Sequence, residues 1–340
     1  MAIFLNDSIH FLNKLTISKL WNAWKVLFSY ELSKLTRRPI QWGYPITLSI
    51  EPTTSCNLRC PECPSGLRSF TRARGMQGNA FFREIISQVK KRTMFLILYF
   101  QGEPYLNPEF IEMISFANKA GFYTITSTNG HFLNSESAKR TVESGLDRLI
   151  ISIDGTTEEA YQSYRIGGEL EKVLAGARNI CFWKTKLNKT KPHVIFQFLV
   201  VKPNEHQIPD VYRIAKSIGV DEVKLKSAQI SDFKKGHPLI PDQTKYSRYR
   251  RGPDGKYMLK NRIRDHCWRL WHTAVITWDG WVLPCCFDKD AIHKMGNLKE
   301  HRFEMIWNNN SYTQFRNDIL TDRRAVDICT NCTEGCKVWL

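Results

Sequence analysis

Residues 56–63 read Cys-Asn-Leu-Arg-Cys-Pro-Glu-Cys, three thiols in a C-x3-C-x2-C spacing directly after the strand-like run Ile46-Thr47-Leu48-Ser49-Ile50. No other stretch constrains the chain as strongly. Three cysteines are an incomplete ligand set. A four-iron cluster normally takes four thiolates, so three on one short loop leave one iron open to bind something that is not protein. Structural zinc is the other chemistry such thiols serve. Zinc sites, however, are closed by four ligands, usually two C-x2-C knuckles, and here the partners would have to come from far along the chain. Cys56, Cys60 and Cys63 after a strand therefore read as ligands of a cluster.

Apolar β-rich runs alternate with amphipathic helical stretches from residue 45 onward. The strand runs are 46–50, 95–100, 123–127, 148–153, 194–201 and 220–226. The helical stretches include 81–92, 108–120, 135–144, 169–185 and 207–218. Six such repeats with buried-type strands predict an α/β chain, a parallel sheet covered by helices. Sites in such folds gather at the C-terminal ends of the strands. The turn-forming runs fall there: Gln101-Gly102-Glu103-Pro104 after the second strand, Ser127-Thr128-Asn129-Gly130 after the third, and Ser152-Ile153-Asp154-Gly155 after the fourth.

Taken together, the cysteine loop and these strand-end runs resemble the radical S-adenosylmethionine (SAM) superfamily. The resemblance implies a partial (β/α)6 TIM-like barrel, a 4Fe-4S cluster whose open iron chelates SAM, and formation of a 5'-deoxyadenosyl radical that takes hydrogen from a substrate C–H bond. It implies cofactor-binding roles for Gln101, Gly102 and Glu103 at the methionine amino group, where a glycine lets the main chain come close to the ligand and a carboxylate suits an ammonium. It implies further roles for Ser127 and Asn129 in the T-N-G element, for Ser152 and Asp154 near the ribose, and for Arg165, ahead of Gly167-Gly168, at the SAM carboxylate. One departure stands out: the family often has an aromatic residue before its third cysteine, and this chain has Glu62.

A second cysteine set closes the chain. Cys267 and Cys285 flank the hairpin-like Trp278-Asp279-Gly280-Trp281, and Cys329, Cys332 and Cys336 follow. The C-x12-G-x4-C pattern resembles the first half of the SPASM extension, and the shortage of cysteines resembles its single-cluster "twitch" form. Cys267, Cys285, Cys329 and Cys332 are then ligands of a second, auxiliary 4Fe-4S cluster, with Cys336 able to replace one of them. Zinc suits a closed tetrathiolate equally well. Cys181 and Cys286 are left spare, and Cys286 is a speculative hydrogen donor.

Four segments follow: 1–44, an amphipathic helical segment; 45–227, the barrel; 228–262, a basic bridge; and 263–340, the auxiliary domain. In the first, Trp21, Trp24 and Phe28 lie among lysines, which suits a membrane interface, although packing on the outside or bottom of the barrel is the favoured expectation. No apolar run is long enough to span a bilayer, and peripheral membrane contact stays open. The formal charge is +16, with 49 basic against 33 acidic residues. Lys234, Lys235, Arg248, Arg250 and Arg251 in the bridge are expected to border the active-site mouth and attract an anionic small-molecule substrate. Ten cysteines without a signal peptide predict the reducing cytoplasm. A carbohydrate-like or other small molecule is the expected substrate, dehydrogenated or epimerised; a peptide-modifying maturase is the alternative. A flavodoxin or ferredoxin is the expected reductant. A non-catalytic basic metalloprotein binding nucleic acid is the reading from another class, but it leaves the strand-end runs unexplained.

Overall fold

A computed structural model of the protein describes residues 2 to 335 and residue 338, with side chains from residue 6 onward; Cys336 lies outside the described residues. All six strand runs form: β1 Thr47–Ile50, β2 Phe95–Ile97, β3 Tyr123–Thr128, β4 Arg148–Ser152, β5 His193–Val200 and β6 Glu222–Ser227. They pair in parallel and in chain order, each with the next. β2 stops earlier than its apolar run, because the chain turns away into Gly102, which adopts a φ of +74°. The connecting helices Asn79–Val89, Phe110–Lys119, Ser135–Glu143, Leu170–Lys186 and Ile208–Ile218 cover the outside.

Strand side chains alternate between two environments, as the pleat requires. Leu48, Ile50, Leu96, Leu98, Leu149 and Ile151 join the buried core beneath the helices. Thr47, Ser49, Phe95, Ile97, Tyr123, Ile125 and Arg148 line a cavity on the inner side.

An incomplete barrel leaves the edge of β1 open, and an unpaired edge is a pairing site. The C-terminal region fills it. After β7 Tyr249–Arg251 and β8 Tyr257–Leu259, which form a small separate hairpin, β9 Thr273–Ile276 pairs with β1 in parallel. β10 Trp281–Leu283 and β11 Gly296–Asn297 then extend one nine-stranded sheet. Trp268, Trp271 and Trp307 are buried here, each removing roughly 150–250 Å² from water. That corresponds to about 4–6 kcal/mol per ring as an upper bound, so the auxiliary region is fused to the barrel.

Segment 228–262 differs from a loose bridge. Ala228, Ile230, Phe233, Leu239, Ile240 and Tyr249 form their own buried cluster with Leu58 and Cys60, against which Cys56 and Cys63 also pack. The segment is thus a cover over the first cysteine loop.

The N-terminal segment forms two helices, α1 Ala2–Leu12 and α2 Ile17–Thr36, the second capped by Thr16, whose side chain accepts from the Lys19 N–H. α1 closes the lower end of the barrel: Asp7 pairs with Arg148 and accepts from the Tyr123 hydroxyl, and Phe11 stacks on Phe95 at 4.8 Å. α2 also packs there, but not through the expected stripe. Trp21, Trp24 and Phe28 face outward, because the side of the helix turned to the barrel carries Lys19, Asn22, Val26, Ser29, Tyr30 and Ser33.

Candidate functional site

The first cysteine loop is folded tightly on itself and on its surroundings. The Cys63 N–H donates to the Cys60 carbonyl (3.3 Å), and the Leu67 N–H to the Cys63 carbonyl (2.8 Å). The short helix α3, Pro64–Leu67, lies so close that a Cβ on Gly66 would come 2.5 Å from the Cys60 nitrogen. Burial pushes the Cys56 thiol up to about 11 and also raises Cys60. Buried thiols that resist ionisation gain most from a positively charged metal centre, which removes the proton and replaces lost hydration. The donor set, three cysteines on one loop, fits a cluster with one open iron.

Glu62, the departure from the family pattern, is tied to the cover: its carboxylate accepts from the Ser231 N–H (3.0 Å) and hydroxyl (2.9 Å). A carboxylate stands at that position because it clamps segment 228–262 over the loop.

The strand-end runs converge on the same loop. The Glu103 N–H donates to the Ser55 carbonyl (2.7 Å), and the Gly102 N–H to the Ser65 hydroxyl (2.9 Å). A Cβ on Gly102 would lie 2.3 Å from the Thr53 carbonyl oxygen. The close approach that requires glycine is therefore to the backbone leading into the cysteine loop, where a close approach to the ligand was expected. The Glu103 carboxylate accepts from the Tyr105 N–H, the Thr128 hydroxyl and the Asn129 N–H at 3.2, 2.7 and 2.7 Å. Burial still pushes it up to about 7 against these three donors. Asn129 in turn donates from its side chain to Asn57 at 2.7 Å. Asp154 has both oxygens engaged, one by the Arg165 Nε (2.5 Å) and one by the Leu199 N–H (2.7 Å). Arg165 reaches from there to within 3.8 Å of the Cys60 sulfur. Burial works against its charge, but Asp154 and Cys60 more than offset it and raise its pKa. Gln101 is buried in the cavity wall; Ser127 lies half-buried one residue before the end of β3, and Ser152 is buried at the end of β4.

Cys267, Cys285, Cys329 and Cys332 line one pocket. Burial pushes Cys329 up to about 11 and Cys332 up to about 12. Arg323 penetrates this pocket, donating to the Cys332 sulfur (3.3 Å), the Glu334 carbonyl (2.8 Å) and the His266 carbonyl (3.0 Å). Burial opposes its charge, and Cys267, Cys332 and Cys329 hold its pKa above the usual range. A buried guanidinium among four thiols calls for them to be anionic. Metal-bound thiolates meet that need, so the residues fit a second cluster. The chain passes closely behind them, since a Cβ on Gly335 would lie 2.4 Å from the Cys267 sulfur. Cys286 points elsewhere, into the wall of the barrel cavity.

That cavity holds about 820 Å³. It runs from Asp7 and Phe11 of α1 up to Tyr99, Gln101, Lys226, Arg269, Cys286, Lys289 and Glu334. Arg269 pairs with Glu334 at 2.5 Å, comes within 3.8 Å of the Cys286 sulfur, and also lines the thiol pocket. Its Nε is buried with no hydrogen-bond partner among the described residues. Lys234, Lys235, Arg248, Arg250 and Arg251 do not line the cavity. Their segment folds onto the cysteine loop, Arg248 donates to the Ser227 carbonyl, and Arg250 and Arg251 are exposed on β7. Lys226, Arg269 and Lys289 were missed in the sequence because they belong to three separate elements. Only the position of Lys226 near the end of a strand hinted at it.

Residues 50–181 match the model of the radical SAM superfamily, and residues 267–333 match that of SPASM, an iron-sulfur cluster-binding domain. The tungsten-containing aldehyde ferredoxin oxidoreductase cofactor-modifying protein of Pyrococcus furiosus is 27% identical over 315 residues, covering 84% of this chain and 86% of that protein. The PqqA peptide cyclase of Gluconobacter oxydans is 25% identical over 202 residues, 58% of this chain and 54% of its own length. Among solved structures, BtrN in complex with AdoMet and 2-DOIA superposes with a TM-score of 0.53 at 19% identity, covering 86% of this chain and 94% of that one. Streptococcus suis SuiB bound to S-adenosylmethionine does so with a TM-score of 0.64 at 13% identity, covering 90% and 76%. At these identities the solved structures share the fold.

Proposed function

We propose that this chain, which belongs to the radical SAM superfamily and carries a SPASM domain, dehydrogenates a small anionic molecule, carbohydrate-like in kind, inside its barrel. Loaded with cluster and SAM, the enzyme obtains a 5'-deoxyadenosyl radical that takes a hydrogen atom from a substrate C–H bond. The protein's own residues hold, orient and shield. Cys56, Cys60 and Cys63 hold the first cluster. Glu103 receives the SAM amino group, while Gly102 and Asn129 fix Glu103 against the loop. Gln101, Ser127 and Ser152 line the SAM side, and Arg165 receives the SAM carboxylate. Asp154, with both oxygens engaged, acts by positioning Arg165. Cys267, Cys285, Cys329 and Cys332 hold the second cluster, and a flavodoxin or ferredoxin is the electron donor.

The cavity is the observation that carries this reading. At about 820 Å³ it falls within the roughly 300–1,000 Å³ typical of small-molecule sites. It is closed below by α1 and bounded above by Gln101 on one side and by Arg269, Cys286 and Glu334 on the other. Lys226, Arg269 and Lys289 outnumber Glu334 there, which favours an anion. Because Arg269 lines both the cavity and the thiol pocket, a substrate radical lies one side chain from the auxiliary site, the arrangement that removal of a second electron requires. Cys286 is the residue that a redox-neutral epimerisation would use instead.

Deuterated sugar phosphates and nucleotide-linked sugars, incubated with anaerobically reconstituted protein, SAM and dithionite, test the proposal. Expected are substrate-dependent 5'-deoxyadenosine carrying deuterium and a product lighter by two hydrogens. A product of inverted configuration that has exchanged one deuterium for hydrogen and lost nothing else would assign epimerisation. Stimulation by neutral peptides alone would overturn the reading in favour of a peptide-modifying maturase; the Gluconobacter relative is named a peptide cyclase.

Two substitutions probe the parts. Glu103→Gln keeps the size and removes the charge facing an ammonium. A hydrogen bond to a charged group is worth about 1.5–3 kcal/mol, so SAM affinity by equilibrium dialysis should fall about 10- to 100-fold; an unchanged Kd would remove Glu103 from the contact. Lys226→Gln with Lys289→Gln should lower kcat/KM for an anionic substrate about tenfold and flatten its dependence on salt. Uncoupled SAM cleavage should persist, and an unaltered salt dependence would deny these lysines a part in capture.

A further inference from the structure

α2 is amphipathic in the opposite sense from a helix that only packs on a barrel. Its inward residues are largely polar, and three of them bond to groups outside the helix. The Lys19 Nζ donates to the Gly121 carbonyl at 2.6 Å, Asn22 donates to the Tyr44 and Arg92 carbonyls at 3.0 and 3.2 Å, and the Ser33 hydroxyl donates to the Ile40 carbonyl at 2.9 Å. Its outward residues are apolar: Ile17 is 87% exposed, Leu35 82%, and Trp21, Trp24 and Phe28 about half. An apolar face of this extent on an otherwise well-packed protein marks a contact surface.

We propose that the outward face of α2 docks the protein on an anionic lipid surface. Three observations select that occupant. The aromatic rings are already arranged as a row, Trp21–Trp24–Phe28–Trp42, with centroid spacings of 4.8, 5.3 and 5.6 Å. Flat amphipathic rings of this kind settle at the boundary between headgroups and acyl chains. The charge is complementary. At 100° per residue, Lys25 borders the apolar face on one side and the Glu31–Lys34 pair lies towards the other; at the end of the helix Arg38 lies exposed beside Arg37, whose guanidinium donates to the Asp265 and Leu320 carbonyls. The two acids of residues 1–44 are each paired, Asp7 with Arg148 and Glu31 with Lys34, so Lys25 and Arg38 supply the net positive charge towards anionic headgroups. The shape, finally, is a convex helix of 20 residues, about 30 Å long, and no helix among the described residues is long and apolar enough to cross a membrane. The helix lies along a surface.

The position of α2 agrees with a docked enzyme that still works. It is bonded to carbonyls just ahead of β1, β2 and β3, at the end of the barrel opposite the cysteine loop. The mouth therefore points away from the lipid and stays open to substrate and reductant.

The test is co-sedimentation of the full chain with vesicles of equal phosphatidylserine and phosphatidylcholine, and with phosphatidylcholine alone. The wild type is expected to pellet with the anionic vesicles, with a blue shift of tryptophan emission and with sensitivity to salt. Trp21→Gln, Trp24→Gln and Phe28→Ser together should reduce binding at least about tenfold, while thermal stability and 5'-deoxyadenosine formation stay unchanged. A second variant, Ile17→Asn with Leu35→Asn, lies at the most exposed positions and should reduce binding in the same direction without any packing loss. Equal binding of wild type and both variants would trace pelleting to general positive charge and overturn the proposal. So would a wild type that stays in the supernatant, or self-association without vesicles that the variants abolish, which would assign the face to a second copy of the chain.

Discussion

Alanine at Cys56, Cys60 and Cys63 together is expected to abolish 5'-deoxyadenosine formation. Loss of an outer-shell partner typically costs about 10- to 100-fold in metal affinity or activity; removal of every protein ligand to a cluster leaves nothing to hold it, so activity should fall to the dithionite-only background. The fold should survive. The loop is held by the Arg59 N–H donating to the Ile166 carbonyl (2.9 Å), by fully buried Leu58, and by Glu62 on Ser231, none of which the substitutions remove. Reconstitution with iron and sulfide, followed by incubation with SAM and dithionite and chromatographic detection of the nucleoside, decides it. Continued turnover in a variant with an unchanged circular dichroism spectrum would sink the assignment of the first site.

The same variant makes the second large prediction possible. With the first site gone, the chain should still retain about four irons, carried by Cys267, Cys285, Cys329 and Cys332 around Arg323. Serine at Cys329 and Cys332 in that background should remove them. In the otherwise wild-type protein this pair of changes should leave SAM cleavage without substrate intact while substrate oxidation falls to background. It should also lower the thermal stability of the C-terminal region, because Arg323 would then be buried among groups unable to balance its charge. Elemental analysis separates the outcomes: zinc in place of iron at the second site would refute an auxiliary cluster and, with it, the route for the second electron.

The two sites were legible to different depths. The first announces itself because its ligands sit on one loop at fixed spacing after a strand. The motifs that serve it follow successive strands, and a parallel sheet brings the ends of successive strands together. The cations of the cavity were not legible. Lys226 lies one residue before the end of β6, Arg269 lies in the short helix Trp268–His272, and Lys289 lies in a loop, and nothing local distinguishes them from the many solvated lysines and arginines nearby. The excess of nine basic residues between Lys224 and Arg264, twelve against three acids, includes Lys226, but the five cations singled out from it, Lys234, Lys235, Arg248, Arg250 and Arg251, do not line the cavity.

The sequence by itself determined the six parallel strands, the helical cover and the three-thiol loop, since each rests on local periodicity or close spacing; the grouping of Cys267, Cys285, Cys329 and Cys332 came from the likeness of their pattern to a known extension. Only the tertiary structure decided that β9 closes on β1, that segment 228–262 covers the cysteine loop through Glu62 and its own core, that Cys285 and Cys286 face different cavities, and that the aromatic side of α2 points outward. These are long-range outcomes. A helix with a polar and an apolar face satisfies the same periodicity whichever side meets the barrel, and the choice was made by the carbonyls of Tyr44, Arg92 and Gly121, which needed donors and found them in Asn22 and Lys19.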